Sequence, residues 1–189
     1  MSTGYKIEEK DGVYFLTFQI VGWVDIFTRK IYRDIVLDSL NYCIQSKGLV
    51  IYAFVIMSNH IHLLVESKTE DLSGTIRDFK KFTSKKFIEI IESGGESRER
   101  WMLDIFRKAT LKHNRNKNYQ VWTHDNHAEL IYTEKFIDQK LDYIHDNPVR
   151  SGFVVHPEDY VYSSAVNYVG GLGVLDVEVI YQRWKTYTK

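Results

Sequence analysis

His60-Ile61-His62 is the first group in this sequence with the makings of a reactive site. Two residues apart in an extended segment, the imidazoles project the same way from backbone positions roughly 6–7 Å apart. They can converge on one divalent cation and still leave positions for water and substrate oxygens. Histidines at this spacing also pack or hydrogen-bond without any metal, so the pair alone leaves both readings open. Tyr143 is a possible nucleophile, with Asn147 four residues on. At that spacing the two side chains lie one above the other on a helix. The chain has 13 tyrosines, so a structural role is the default for any one of them.

The elements around these residues decide where they point. From His60, the residues His60, His62, Leu64 and Glu66 alternate with Ile61, Leu63 and Val65. The apolar set must face a core, which turns both histidines, and Glu66 as a substitute ligand, to the opposite and more open face. The preceding run, Leu49 to Met57, is apolar at every alternation, as in a central strand covered on both sides. Residues 12–21, rich in aromatic and β-branched types, read as a first strand. Thr28 is placed to cap a helix whose stripe is Ile31, Ile35, Val36, Leu40, Cys43 and Ile44, ending at Lys47-Gly48. A second helix over 71–91 has Ile76, Phe79, Phe82, Phe87, Ile90 and Ile91 inside and its lysines outside. SGGES at 93–97 reads as a loop, and 104–117 gives no clear pattern. Asn118–His124 has strand character. Thr133 can cap a last helix with Ile137, Leu141 and Ile144 as its stripe, ending near Pro148 because the residue before proline disfavours helix. Tyr143 and Asn147 fall on the shoulder of that stripe.

The order is that of a ferredoxin-like βαββαβ fold of the α+β class, an antiparallel sheet with helices on one face, plus a C-terminal helix carrying Tyr143. A helix crossing the free face would bring Tyr143 and Asn147 toward His60 and His62. One domain over 1–189 is the simplest organisation, with a core of about 10–150 and an extension from 151 to 189.

Composition sets limits. Hydrophobic residues at 44% and charged residues at 26% are ordinary for a globular chain. No secretory signal is legible, and the longest apolar run is about half of what a membrane span needs. Cys43, alone, reads as a small core residue, and a reducing cytoplasm is expected. Lys+Arg and Asp+Glu balance at 25 each, which counts against a general nucleic-acid binder. Locally the balance breaks. Residues 76–86 hold five Lys/Arg against one Asp, and 107–117 hold five and no acid. Lys80, Lys81, Lys85, Arg107, Lys108 and Arg115 are therefore candidate phosphate contacts, with Trp101, Trp122 and Tyr119 as candidate stacking residues. The other histidines, His113, His124, His127, His145 and His156, read as surface or loop residues.

Three segments, YAFVIMSNHIHLLVES (52–67), RDFKKFTSKKF (77–87) and YIHDNPVRSGFVVHPEDYVYSSA (143–165), together resemble the REP-associated tyrosine transposases. These belong to the single-tyrosine transposases with a histidine–hydrophobic–histidine motif. The resemblance covers nearly the whole chain. It implies that His60 and His62 are metal ligands, that Tyr143 is the nucleophile and that Asn147, often Gln in insertion-sequence relatives, is the third ligand. The shorter stem of Asn requires its helix to come closer. Ser58 stands where many relatives have proline. The implied activity is Mg²⁺- or Mn²⁺-dependent cleavage of single-stranded DNA beside hairpins, through a 5′-phosphotyrosine link that permits rejoining to another end. The implied protein works as a monomer or homodimer. Two other readings share the scaffold: a catalytically silent nucleic-acid-binding domain, and a metal-dependent phosphodiesterase that uses water.

Overall fold

The computed structural model describes residues 7–111 and 118–180. Strands β1 (Tyr14–Gln19), β2 (Leu49–Ile56), β3 (His60–Ser67) and β4 (Glu129–Leu130) form one sheet in the order β2-β3-β1-β4. All pairings are antiparallel. Helices α1 (Lys30–Lys47) and α2 (Leu72–Ile90) make the two crossovers, which is the ferredoxin-like arrangement. A further helix, α3 (Glu99–Thr110), lies between α2 and β4 and runs into the stretch 104–117 whose residues show no clear pattern. Its Met102 and Phe106 join the core beneath α1 and α2. Among the described residues no helix is long and apolar enough to cross a membrane.

The sheet separates two apolar layers. Leu16, Phe18, Ile61, Leu63 and Val65 pack beneath α1 and α2, with Phe27, Tyr32, Phe79 and Phe87. On the other face Phe15, Ala53, Val55 and Leu64 meet Leu141 and Ile144 of α4 (Glu134–Arg150). Strand β2 serves both layers because a register shift between Ile51 and Ala53 changes the phase of its alternation. Its outer edge is not left open. Ile56 N donates to Tyr162 O (2.9 Å), and Ser164 N donates to Phe54 O (3.0 Å). The extension therefore covers an edge that could otherwise pair with another chain.

Several expectations shift. Thr28 does not cap α1: its hydroxyl donates to Asp25 O, and Arg29 occupies the cap position without a side-chain bond. The buried stripe of α1 is Tyr32, Val36, Ser39, Leu40 and Cys43, leaving Ile31 exposed. Tyr32 takes the inward place because its hydroxyl finds Glu96 (3.2 Å). In α2, Thr83 rather than Phe82 faces inward, since its hydroxyl both bonds Phe79 O and accepts from Trp122 Nε1. The fourth strand is Glu129–Leu130, not 118–124. The earlier segment meets β1 through a single bridge, Trp122 opposite Ile20. Six residues, from Ile20 back to Phe15 of β1, span the same stretch as eight from Trp122 to Glu129. The edge must bulge, and His127 sits there at φ 40°.

Helix α4 begins as expected, with Thr133 Oγ1 accepting from Phe136 N (3.2 Å). It does not end at Pro148 but continues to Arg150, with Pro148 buried. The stop comes from Gly152 at φ 73°, with Gly152 N donating to Val149 O and Phe153 N to Pro148 O, both 2.9 Å. This paired closure around a left-handed glycine satisfies the terminal carbonyls. One missing N–H inside the helix costs less than losing that closure and the buried proline.

Candidate functional site

Strand β3 turns His60 and His62 to the face on which α4 lies. Their ring centroids are 4.8 Å apart. Helix α4 brings Tyr143 over the pair, its ring 5.1 Å from that of His62 and edge-on at 73°. Phe15 of β1 completes the packing, stacked on His62 at 5.3 Å and edge-on to Tyr143 at 5.8 Å. The tyrosine is nevertheless 40% exposed, so an approaching group can reach it. Asn147 stands one turn further along the same helix, half-buried. Glu66 is four residues from His62 along β3, roughly 13 Å away by strand rise, and engages the Tyr52 hydroxyl instead.

Both imidazoles are set up to offer a lone pair. Asn59 Oδ1 lies 2.7 Å from His60 Nδ1, so that nitrogen carries the proton and Nε2 is bare. Thr17 Oγ1 lies 2.9 Å from His62 Nδ1. The Nε2 of His62 is buried and has no hydrogen-bond partner. An orphaned buried ring nitrogen beside a second bare one fits a divalent cation better than it fits a packed core. Among the described residues there is no cluster of three His, Cys, Asp or Glu that could hold a metal. A third protein ligand would have to be of another type, as Asn147 is. Burial lowers the affinity of His60 for a proton. His62 is pushed down to about 3, first by burial and then by the neighbouring His60, with which it would compete for a proton, and the charges of Lys140 and Arg150. Neutral rings are what metal ligation requires.

A second buried imidazole on α4 gives a stability prediction. His145, expected on the surface, is held by Ser164 Oγ at 2.9 Å and packs edge-on against Tyr168 at 4.8 Å. Burial, against the pull of Asp142, pushes it down to about 4. The unfolded chain therefore binds a proton that the folded chain refuses between pH 6.5 and 4. Stability is whole above pH 6.5 and falls as the pH drops through that window, by on the order of 2–3 kcal/mol for this group. Urea midpoints of the metal-free protein at pH 7 and pH 4.5 should show the loss. His62 contributes in the same direction, so His145→Gln should make the pH dependence shallower without abolishing it; an unchanged slope would remove His145 as a source.

The basic candidates are not brought to the histidine pair. Helices α2 and α3 lie on the opposite layer of the sheet. Lys80 is half-buried, not outside, and its ammonium donates to Thr123 O and Asn126 Oδ1, both 2.7 Å. Burial pushes it down to about 8. Lys81 and Lys85 are exposed, Arg107 reaches the Tyr119 hydroxyl (3.2 Å) and Lys108 pairs with Asp104 (2.6 Å). Arg77, Lys80, Lys81 and Tyr119 border a groove of about 480 Å³ between α2 and the 119–126 segment. Trp101 is exposed, whereas Trp122 is a core residue. Arg115 and His113 lie outside the described residues.

Four contributors escape a reading of sequence alone. Thr17 and Phe15 reach the site only through the β1–β3 register, Thr17 opposite His62. Lys140 lies over the Phe15 ring at 4.1 Å and pairs with Glu129 (2.7 Å). Arg150 lies over the Tyr143 ring at 4.6 Å and donates to its carbonyl (2.9 Å). Lys140 had a local signal, since it precedes Tyr143 by three residues on one helix face.

Comparison with known proteins agrees with this fold. Among curated sequences none matches the chain. A solved structure of a REP-associated tyrosine transposase bound to a REP hairpin superimposes with a TM-score of 0.59 at 18% identity, covering 98% of this chain and 100% of that one. At such identity the likeness speaks for the fold. The family profile described as "Transposase IS200 like" matches residues 18–140, from the end of β1 to the first turns of α4, a stretch that includes both histidines and stops before Tyr143 and Asn147. The chain belongs to the IS200-like transposase family.

Proposed function

We propose that this transposase-family protein is a metal-dependent single-strand DNA endonuclease and strand transferase with Tyr143 as its nucleophile. The observation that carries the reading is the exposed Tyr143 ring 5.1 Å from His62, whose Nε2 is buried without a partner. The phenol gives up its proton as its oxygen bonds to phosphorus, and the 3′ oxygen leaves as a hydroxyl. The phosphate remains on Tyr143 as a 5′-phosphotyrosine, which conserves the bond for rejoining. A Mg²⁺ or Mn²⁺ ion held by His60, His62 and Asn147 would supply the charge that offsets the developing negative charge on the scissile phosphate. Thr17 and Asn59 fix the two rings, and Phe15 holds Tyr143 against them. Lys140 and Arg150 add positive charge on the same side.

The relative of known structure was bound to a REP hairpin. On this reading the substrate here is also a single strand beside a hairpin. Lys81, Lys85, Arg107 and Lys108 are proposed phosphate contacts, Arg115 with them, while Lys80 acts by holding the 123–126 segment. The test uses hairpin oligonucleotides from DNA flanking the gene, with Mn²⁺, on a denaturing gel. A 3′-end label should migrate with the protein and a 5′-end label should leave as a free fragment. Two free fragments and no adduct would point to water as the nucleophile. Binding with neither adduct nor cleavage of any flanking hairpin would favour a silent binding domain.

A further inference from the structure

Between β1 and α1 the chain does something energetically unusual. Gly22 and Trp23 both adopt left-handed backbone, φ 65° and 57°. Glycine takes this conformation freely, but a bulky residue does so only when its surroundings impose it. The flanking residues Ile20, Val24, Ile26 and Phe27 are buried, and the kink turns Trp23 out among them to 68% exposure. An apolar ring of this size gains nothing from water, and its own side chain is not part of the core.

The segment is not loose. Ile20 N donates to Asn59 O (3.0 Å), Phe27 N to Ser58 O (3.0 Å) and Val21 N to Val121 O (2.8 Å). Gly22 packs so closely on Ile105 of α3 that a Cβ there would meet the Ile105 side chain at 2.7 Å. Asn59 then ties the kink to the site: its amide nitrogen donates to Trp23 O (3.4 Å), and its oxygen accepts from His60 Nδ1 (2.7 Å). One side chain thus bridges the exposed indole's backbone and the imidazole of the candidate metal pair.

We propose that Trp23 is a stacking platform for an unpaired base of the DNA strand entering the histidine–tyrosine site. Every base presents a π face, so an indole carried on a fixed backbone beside the site orients a single strand whatever its sequence. Duplex DNA, whose bases are already stacked, has no face to offer. The strained, outward, fixed placement is what such a platform needs and what a packing role does not explain. Trp101 of α3 is exposed and four residues before Ile105, on the helix face that meets Gly22. The inference rests on the proposed single-strand reading and adds a residue that binds without taking part in the chemistry.

The test measures fluorescence anisotropy of a labelled ten-residue oligothymidylate, which forms no hairpin, in chelator so that no cleavage intervenes. Wild type should bind, and Trp23→Ala should bind roughly ten- to a hundredfold more weakly. The dependence of log affinity on log salt should keep its slope, because phosphate contacts are untouched. Trp23→Phe should recover binding to within about threefold of wild type, since an aromatic face remains. Trp23→Gly removes the ring and relieves the left-handed backbone at once, so a protein at least as stable as wild type with the same weakened binding excludes misfolding as the cause. Affinity within twofold of wild type in Trp23→Ala, or no binding of the oligomer by wild type, overturns the platform. Platform-dependent binding of the oligomer, with no adduct from any of the flanking hairpins in Mn²⁺, would leave the platform standing and remove the nuclease reading.

Discussion

Tyr143→Phe should abolish the protein–DNA adduct and lower single-strand cleavage by about a thousandfold or more, because no other group takes over a lost nucleophile. The variant removes one oxygen and keeps the ring. The edge-on contacts to His62 and Phe15 and the Arg150 guanidinium over the ring survive. Stability should therefore stay within about 0.5 kcal/mol of wild type, as for substitutions that leave packing in place. Hairpin affinity in chelator should also be unchanged, so the loss falls on the chemical step alone. The experiment is a time course on a denaturing gel with both end labels, alongside a urea melt of the same preparation. Cleavage that persists in Tyr143→Phe, with both fragments free, would sink the covalent mechanism and assign the attack to water.

His62→Ala should have an effect of similar size through a different route. His62 is 4% exposed and wedged between Phe15, His60 and Tyr143, and Thr17 sets its ring. Removing the imidazole deletes one of two neutral nitrogens available to a cation. Mn²⁺ binding, followed by electron paramagnetic resonance or calorimetry, should be lost at concentrations that saturate wild type. Adduct formation should fall by about three orders of magnitude, in keeping with the loss of charge stabilisation at phosphorus. Thr17→Val is the graded control. It keeps the imidazole but frees its orientation, and losses of roughly 10–100-fold are typical when such an outer partner is removed. A His62→Ala protein that binds Mn²⁺ and cleaves as wild type does would show that the pair is not the metal site.

Much of the architecture is legible because it is local. Alternation from His60 to Val65 assigns β3 and sorts its two faces without reference to the rest of the chain. The left-handed Gly48 ends α1 where Lys47-Gly48 signalled it, and Thr133 starts α4 where a cap was visible. The two misread helix stripes share a cause: a distant polar partner overrode an apolar pattern. Tyr32 displaced Ile31 because Glu96 waits for its hydroxyl. Thr83 displaced Phe82 because the Trp122 indole needs an acceptor. The segment 118–124 has strand-forming residues, yet the bulge that carries Trp122 into the core leaves it a single bridge. His145 looks like any surface histidine until Ser164 and Tyr168 are folded against it.

By itself the sequence determined the strand that aims two histidines one way, the helix that carries Tyr143 and Asn147 on one shoulder, and the βαββα order that supports them. These follow from periods of two and 3.6 residues, which any short stretch displays. Only the tertiary structure decided that α4 lies across the histidine face rather than beside it, that Thr17 stands opposite His62 and that Arg150 covers the Tyr143 ring. It also decided that Asn59 links His60 to an exposed Trp23. Those relations depend on strand register and on which layer a helix joins, and both are settled by packing between residues far apart in the chain, for which no local pattern exists.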